Sequence, residues 1–329
     1  MNARTAGPFA VLVLLLSLVI PISTVEAQQA QRVYRVGVLN FGSAVPHIIA
    51  SPINQRIVER LAELGFKEGQ QVVFERRWAD GSFDRVGPLT AELVQAKVDV
   101  IVTIGNRIAQ LVTEENPRIP MVSLSCDSFT SVSNYARPNG NFTGVTCMST
   151  ELSPKRLEVA KQMFPGAKRF VFLYNPNQGA TGFDLTQKAA SHLGVAVRGV
   201  EMRLPADLDK ALAAISAERP DVLLIYPDAV TMSRRKEIAD YALAHKLPSI
   251  TAYKEYAEAG GLLSYGSTLV ELGDRAGELI AKILRGAKPH ELPIQQATRV
   301  YLTINLKSAR ALGHVISPAM LQRADYVID

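Results

Sequence analysis

Asp99-Val100-Ile101-Val102-Thr103-Ile104 and, far downstream, Asp221-Val222-Leu223-Leu224-Ile225-Tyr226 read as one strand written twice: an aspartate, then a nearly unbroken apolar run. Unbroken runs, rather than strict alternation, suit strands buried on both faces, as in a parallel sheet covered by helices on either side. The following strand repeats too, Ile119-Pro120-Met121-Val122 against Leu247-Pro248-Ser249-Ile250. Working outward, the strand Val33 to Asn40 leads into a helical pattern from Pro52 to Leu64. Val72 to Trp78 leads into another from Asp84 to Lys97, and a further helix starts at Asn106. After Phe142-Thr143-Gly144-Val145-Thr146 the rhythm restarts. Ser153-Pro154 opens a helix through Phe164, with the hydroxyl able to cap and the proline preset for the first turn. Strands follow at Arg169 to Asn175, Val195 to Met202 and Asp221 to Tyr226. Alternating strand and helix predict an α/β fold, and the repeat predicts two similar doubly wound lobes with mainly parallel sheets.

The C-terminal third does not simply extend the second lobe. Gly260-Gly261-Leu262-Leu263-Ser264-Tyr265-Gly266 gives a short strand, Thr268 to Leu284 a long amphipathic helix, and Tyr301 to Ile304 a strand before the helix Leu306 to Leu312. One strand and helix pair for each lobe requires several crossings between lobes, hence a multi-strand hinge. The expected division is 28–146 plus 262–287 for lobe one and 147–261 plus 288–329 for lobe two. Crossings are expected near Gly144-Val145-Thr146, Gly260-Gly261-Leu262 and Lys288-Pro289.

Residues 1–27 stand apart as a secretory signal peptide. Arg4 supplies the positive start, Phe9 to Ile20 the apolar stretch, and Val25-Glu26-Ala27 the small-residue cleavage site. The stretch is shorter than the ~20 residues a membrane span needs. With no cysteine at the cleavage site, a soluble periplasmic product without a lipid anchor is expected.

The mature chain announces no catalytic chemistry. It lacks a phosphate-loop Gly-x-x-x-x-Gly-Lys, a Gly-x-Ser-x-Gly elbow and a His-Glu-x-x-His pair, and Leu39-Asn40-Phe41-Gly42-Ser43 lacks the glycine spacing of a dinucleotide site. The 5 histidines never fall at metal-ligand spacing, and 2 cysteines cannot build a disulfide framework or a cysteine zinc site. No cofactor or metal is expected. A net charge of +5, scattered singly, lacks the dense basic stripe of a nucleic-acid binder. An oxidising compartment permits a Cys126–Cys147 bond, although two separate buried thiols are slightly favoured, since free cysteine packs as a small hydrophobe.

Open α/β sheets bind ligands at the carboxyl ends of their strands. There the chain gathers Phe41, Tyr174, Tyr226, Tyr253 and Tyr265, together with Asn40, Ser43, Gly105, Asn106, Ser125, Asp127, Asn175, Asn177 and Asp228. This set predicts a cleft walled by aromatic rings and set with polar anchors from both lobes. Helices starting just beyond these strands aim backbone N–H groups at the cleft, so a carboxylate needs no dedicated arginine.

Several stretches, in order, resemble a known family: Ala136-Arg137-Pro138-Asn139-Gly140-Asn141-Phe142-Thr143-Gly144-Val145, Lys155-Arg156-Leu157-Glu158, Leu173-Tyr174-Asn175-Pro176, Ala259-Gly260-Gly261-Leu262-Leu263-Ser264-Tyr265-Gly266, Ile283-Leu284-Arg285-Gly286-Ala287-Lys288-Pro289 and Ile304-Asn305-Leu306-Lys307-Ser308-Ala309-Arg310-Ala311-Leu312-Gly313. They are similar to the periplasmic substrate-binding proteins of ABC transporters, of the tryptophan/tyrosine type. The resemblance implies two lobes of the periplasmic binding protein type I kind, a small-molecule ligand captured between them by hinge closure, and delivery to an inner-membrane ABC permease with its ATPase. The chain departs from many relatives at Gly105-Asn106-Arg107 and Cys126-Asp127-Ser128, two loops expected at the cleft. An aromatic amino acid, a branched aliphatic one and an aromatic acid all remain open as ligands. A monomer without catalytic activity is expected. A periplasmic sensory protein and a secreted α/β enzyme are the competing readings. A sugar-responsive repressor fails on the signal peptide and on the lack of a preceding helix-turn-helix segment.

Overall fold

The repeated aspartate does the same work in both halves. Asp99 Oδ2 accepts the backbone N–H of Arg35, in the first strand of its lobe, at 2.7 Å. Asp221 Oδ2 accepts those of Lys168 and Arg169, where the first strand of the second lobe begins, at 2.8 and 2.9 Å. The structure is a computed structural model of the 329-residue chain and describes residues 32–42, 52–125, 129, 132–297 and 299–329. The signal peptide expected at 1–27 lies outside the described residues. Among the described residues, no helix is long and apolar enough to cross a membrane.

Lobe one runs β1 (Tyr34–Asn40), α1 (Pro52–Glu63), β2 (Val72–Trp78), α2 (Val86–Gln95), β3 (Val100–Ile104), α3 (Asn106–Glu115), β4 (Met121–Ser125) and β5 (Phe142–Thr146). Lobe two follows with α4 (Ser153–Met163), β6 (Arg169–Tyr174), α5 (Pro176–Leu193), β7 (Ala196–Glu201), α6 (Leu208–Glu218), β8 (Val222–Ile225), α7 (Ala229–Ser233), α8 (Arg235–Ala244), β9 (Ser249–Thr251), α9 (Lys254–Glu258) and β10 (Leu263–Gly266). The chain ends with α10 (Leu269–Leu284), β11 (Gln295–Gln296), β12 (Tyr301–Asn305), α11 (Leu306–Leu312), α12 (Pro318–Arg323) and β13 (Tyr326–Ile328).

The sheets share one strand order, β2-β1-β3-β4-β5 with β11 outside it and β7-β6-β8-β9-β10 with β12 and β13 outside it. β12 runs antiparallel to β10, and the other pairings are parallel. The expectation of two doubly wound, mainly parallel lobes therefore holds. One entry differs locally: Ser153 is the first residue of α4 rather than its cap, and its hydroxyl donates back to the Ser149 carbonyl at 2.9 Å.

Burial follows the apolar runs. On the outer face of sheet one, Val36, Val38 and Val100 pack under Ile57 and Leu61 of α1 and Leu279 and Ile280 of α10. In lobe two, Phe170, Phe172, Leu224 and Tyr226 form the equivalent layer. Each such side chain contributes ~1.5–3 kcal/mol when fully buried. A third apolar cluster joins the lobes, from Leu39, Phe41, Leu93 and Ile101 to Val200, Met202, Leu208 and Leu223.

The sheets also correct the lobe boundaries. β10, expected in lobe one with 262–287, pairs with β9 (Leu263↔Ile250) and β12 (Leu263↔Ile304) in sheet two. Gln295 and Gln296, expected in lobe two with 288–329, pair with Val145 and Thr146 of sheet one. Gly260-Gly261 is a turn closing α9 within lobe two, where the Gly260 and Gly261 N–H groups donate to the Ala257 and Tyr256 carbonyls. Lys288-Pro289 starts a short 3-10 turn before β11. The chain changes sheets after Thr146, where a crossing was expected, and otherwise after Gly266 and after Gln296. α10 is held on lobe one by ion pairs to α1, Arg56–Asp274 at 2.6 Å and Arg60–Glu278 at 2.7 Å. Arg156 of α4, buried, clips two of the crossings together. It donates to the Ser149 carbonyl at 3.1 Å and hydroxyl, the Ser153 hydroxyl at 3.1 Å and the Tyr265 carbonyl at 3.0 Å. The planar guanidinium fork suits such a multiple contact.

Candidate functional site

With this strand order, the crevice of each sheet opens between its first and third strands, where the connections depart to opposite faces. These are β1 and β3 in lobe one and β6 and β8 in lobe two. The two points meet at a small cavity. Ile104, Gly105, Asn106 and Ser125 line it from lobe one, and Gln178, Asp228 and Ala229 line it from lobe two. Its free volume is about 20 Å³, where one water needs ~10–15 Å³. The lobes are thus closed on each other, and any ligand of amino-acid size requires them to part.

The lobe-one wall is built around the start of α3. Gly105 has φ 107°, a conformation that strains any residue with a Cβ, and it starts α3 with no side-chain cap. A carbon added there would lie 3.4 Å from Gln178 Nε2 across the cleft. Ser125, buried, ends β4.

The lobe-two wall is built from caps. Asp228 Oδ1 accepts the N–H groups of Val230 at 2.7 Å and Thr231 at 3.0 Å, and Oδ2 accepts that of Asn175 at 3.2 Å. Asn175 Oδ1 in turn accepts the Asn177 N–H at 3.0 Å, and its Nδ2 donates to the Arg203 carbonyl at 3.4 Å. Asp228 therefore ties β8 to β6 and starts α7. Gln178, on the first turn of α5, differs: its buried Nε2 has no acceptor among the described residues.

Of the sequence-predicted residues, Gly105, Asn106, Ser125 and Asp228 come together at this cavity. Asn40 accepts the side-chain amide of Asn54 at 2.8 Å, and Asn177, exposed, contributes its N–H to the Asn175 cap. Ser43, Cys126 and Asp127 lie outside the described residues, and with them the Cys126–Cys147 pairing. Cys147 Sγ is buried 3.4 Å from the Tyr253 hydroxyl.

The aromatic wall is the main correction, for the rings turn into the lobes. Tyr226 is 0% exposed; its hydroxyl meets Thr150 Oγ1 at 2.9 Å and its ring lies against Gly179 and Gly182. Added carbons at those glycines would fall 2.8 and 2.9 Å from the ring, so only glycine lets α5 approach this closely. Tyr174 stacks on Phe183 with centroids 5.1 Å apart. Phe41 packs on Phe83 at 4.5 Å in the cluster joining the lobes. Tyr253 packs in the lobe-one core beside the first crossing, and Tyr265 packs against the lobe-two core on β10. A side chain at a strand end follows the pleat and points to a face of the sheet, under a helix, rather than along the strand into the cleft. Gln178, Ile104 and Ala229 were not singled out from sequence. The signal for Gln178 was available: Asn175-Pro176 marks a helix start, which puts the residue three positions after the cap on the turn facing the crevice.

Comparison with known proteins agrees with this geometry. A family described as ABC transporter substrate binding protein matches residues 39–328. A curated relative, the tyrosine-binding protein of Clostridioides difficile (strain R20291), is 22% identical over 282 residues, covering 83% of this chain and 80% of the relative. A conserved domain protein from Vibrio cholerae O1 biovar El Tor is 26% identical with a TM-score of 0.81, covering 90% of this chain and 100% of that one. An ABC domain from Streptococcus pneumoniae, solved in complex with L-Trp, is 24% identical with a TM-score of 0.80 and the same coverage.

Proposed function

Since the chain belongs to the ABC transporter substrate-binding protein family, we propose that it is a periplasmic receptor that closes on an amino acid and presents it to an importer permease. The observation that carries this reading is the inter-lobe cavity at the two crevice points, lined by Gly105, Asn106 and Ser125 on one side and Gln178 and Asp228 on the other. The uncapped start of α3 offers backbone N–H groups and the positive end of a helix to a carboxylate. The tyrosine named for the Clostridioides difficile relative supports an aromatic amino acid as the ligand class. Ligand contacts made in both lobes favour closure. A ligand touching one lobe alone does not shift the population, and a shift from 1:99 to 99:1 takes ~5.5 kcal/mol of differential affinity. The closed receptor then offers the permease a surface that the open one lacks.

The test is a thermal-shift and calorimetric screen of the secreted protein against L-tyrosine, L-tryptophan, branched aliphatic amino acids and aromatic acids. A true ligand at 100 times its Kd adds ~2.7 kcal/mol of stability. Saturable binding of an aromatic amino acid without turnover is expected. Binding of none of the amino acids would overturn the proposed ligand class.

A further inference from the structure

Gln178 puts a buried side-chain nitrogen on the cavity wall that no acceptor among the described residues satisfies. That nitrogen is a donor only, and an occupant of the cleft can supply the acceptor it lacks. The nitrogen stands 3.4 Å from the point where a side-chain carbon of Gly105 would be, so it faces the bare backbone that starts α3. That is the one end of the ten-residue helix where negative charge is favoured. Asp228, the other polar lobe-two group there, has its oxygens engaged by the N–H groups of Val230, Thr231 and Asn175.

We infer that Gln178 reads the carboxylate of the ligand from lobe two, bridging it to the start of α3 in lobe one when the cleft closes. The inference rests on the reading of the protein as an amino-acid receptor. An α-ammonium group has no lone pair to offer this donor, so the same residue fixes which end of the amino acid enters first. A decarboxylated amine leaves the donor buried without an acceptor, and sites built to hydrogen-bond a ligand group reject analogues that lack it. Gln178 thereby determines specificity and couples occupancy to closure.

The test compares L-tyrosine and L-tryptophan with tyramine and tryptamine by calorimetry, using the wild type, Gln178→Met and Gln178→Glu. Methionine keeps the shape and removes the donor, and glutamate replaces it with a charge that repels a carboxylate. The wild type should prefer the amino acids. In Gln178→Met their affinity should fall about tenfold with the amines unaffected; Gln178→Glu should lose more and narrow or reverse the preference. Because the side-chain nitrogen bonds to no group among the described residues, both variants should melt close to the wild type, which separates this role from a structural one. Wild-type affinity for the amino acids in both variants, or an equal loss for amino acid and amine, would overturn the inference and leave the receptor reading standing. A wild type that binds neither amino acid would instead overturn the ligand class and the inference together.

Discussion

The two lobes share a strand order and an aspartate that ties the third strand to the first, yet they use their strand ends differently. In lobe two, the polar residues beyond β6 and β8 are spent internally: Asn175 starts α5, Asp228 starts α7, and the Asn175 N–H bonds to Asp228. In lobe one, α3 starts at Gly105 with no side-chain cap. A fold can thus be duplicated without duplicating its binding chemistry. Lobe two spends most of its polar groups at the cavity on its own caps, leaving Gln178 Nε2 as a donor, and lobe one places the uncapped start of α3 there. The contrast also separates stability from affinity, because a substitution in lobe two's caps and core acts on folding, whereas one at Gly105 acts on the cleft.

The largest effect should come from Tyr226→Ala, which removes the ring from beneath α5. Truncating a buried aromatic costs ~3–5 kcal/mol, read as a lowered midpoint in urea. Tyr226→Phe keeps the ring and loses the bond to Thr150, for about 1 kcal/mol. Ligand affinity of the folded fraction should be unchanged in both. A Tyr226→Ala protein of normal stability but weakened binding would restore the tyrosine to the cleft wall and break the contrast between the lobes.

Next in size is Asp228→Ala. Losing a helix cap costs ~0.5–2 kcal/mol, and here the Asn175 N–H loses its acceptor as well. Asp228→Asn keeps an acceptor oxygen for α7 and should recover most of the loss. The lobe-one counterpart, Gly105→Ala, should lose affinity as well as stability, since its left-handed backbone is strained by any Cβ and that carbon points at Gln178. Affinity and stability measured on the same preparations sharpen the comparison. Equal binding losses in Asp228→Asn and Gly105→Ala would mean that lobe two's carboxylate contacts the ligand directly.

The architecture was legible in the sequence because parallel strands buried on both faces leave long apolar runs, as at Val100–Ile104 and Val222–Ile225. The last strands of the sheets left no such trace. β11 is two glutamines and β13 is three residues on an edge, with Tyr326 and Val327 exposed. The second and third crossings misled for a related reason. Gly260-Gly261 carries the composition of a hinge but closes a helix, whereas the change of sheet after Gly266 has only a short polar link, Ser267-Thr268, to mark it. The rule about strand ends anticipated Gly105, Asn106, Ser125 and Asp228, which line one cavity between the lobes. It did not say which polar groups would be consumed as caps or which way the tyrosines would turn. Both depend on side-chain direction, set by packing against helices distant in sequence.

The smallest expected effect tests whether lobe two's strand ends are finished throughout. Glu255, on the first turn of α9 beyond β9, is the exception: its Oε2 is buried with no partner among the described residues. Burial pushes its carboxyl above the usual range, against the pull of its own N–H and of Lys254 and Arg235. Asp221 shows the opposite balance. Burial raises it, but the N–H groups of Lys168 and Arg169 and the Arg169 guanidinium outweigh burial and hold it below the usual range. Asp221 therefore supplies stability that is present above the ordinary aspartate pKa of ~3.9 and lost as pH falls through its folded value. For Glu255 the folded protein binds the proton more tightly than the unfolded chain. Its charge then costs nothing well below the ordinary glutamate pKa of ~4.3, and stability falls as pH rises from there through the folded value. Glu255→Gln should accordingly raise the melting temperature at pH 7 and leave it nearly unchanged at pH 4, whereas Asp221→Asn should lower it at pH 7. A gain for Glu255→Gln of equal size at both pH values would show that the buried charge is not its source. A loss at pH 7 would mean that the Glu255 carboxylate is held by a favourable contact, leaving lobe two finished at this strand end as well.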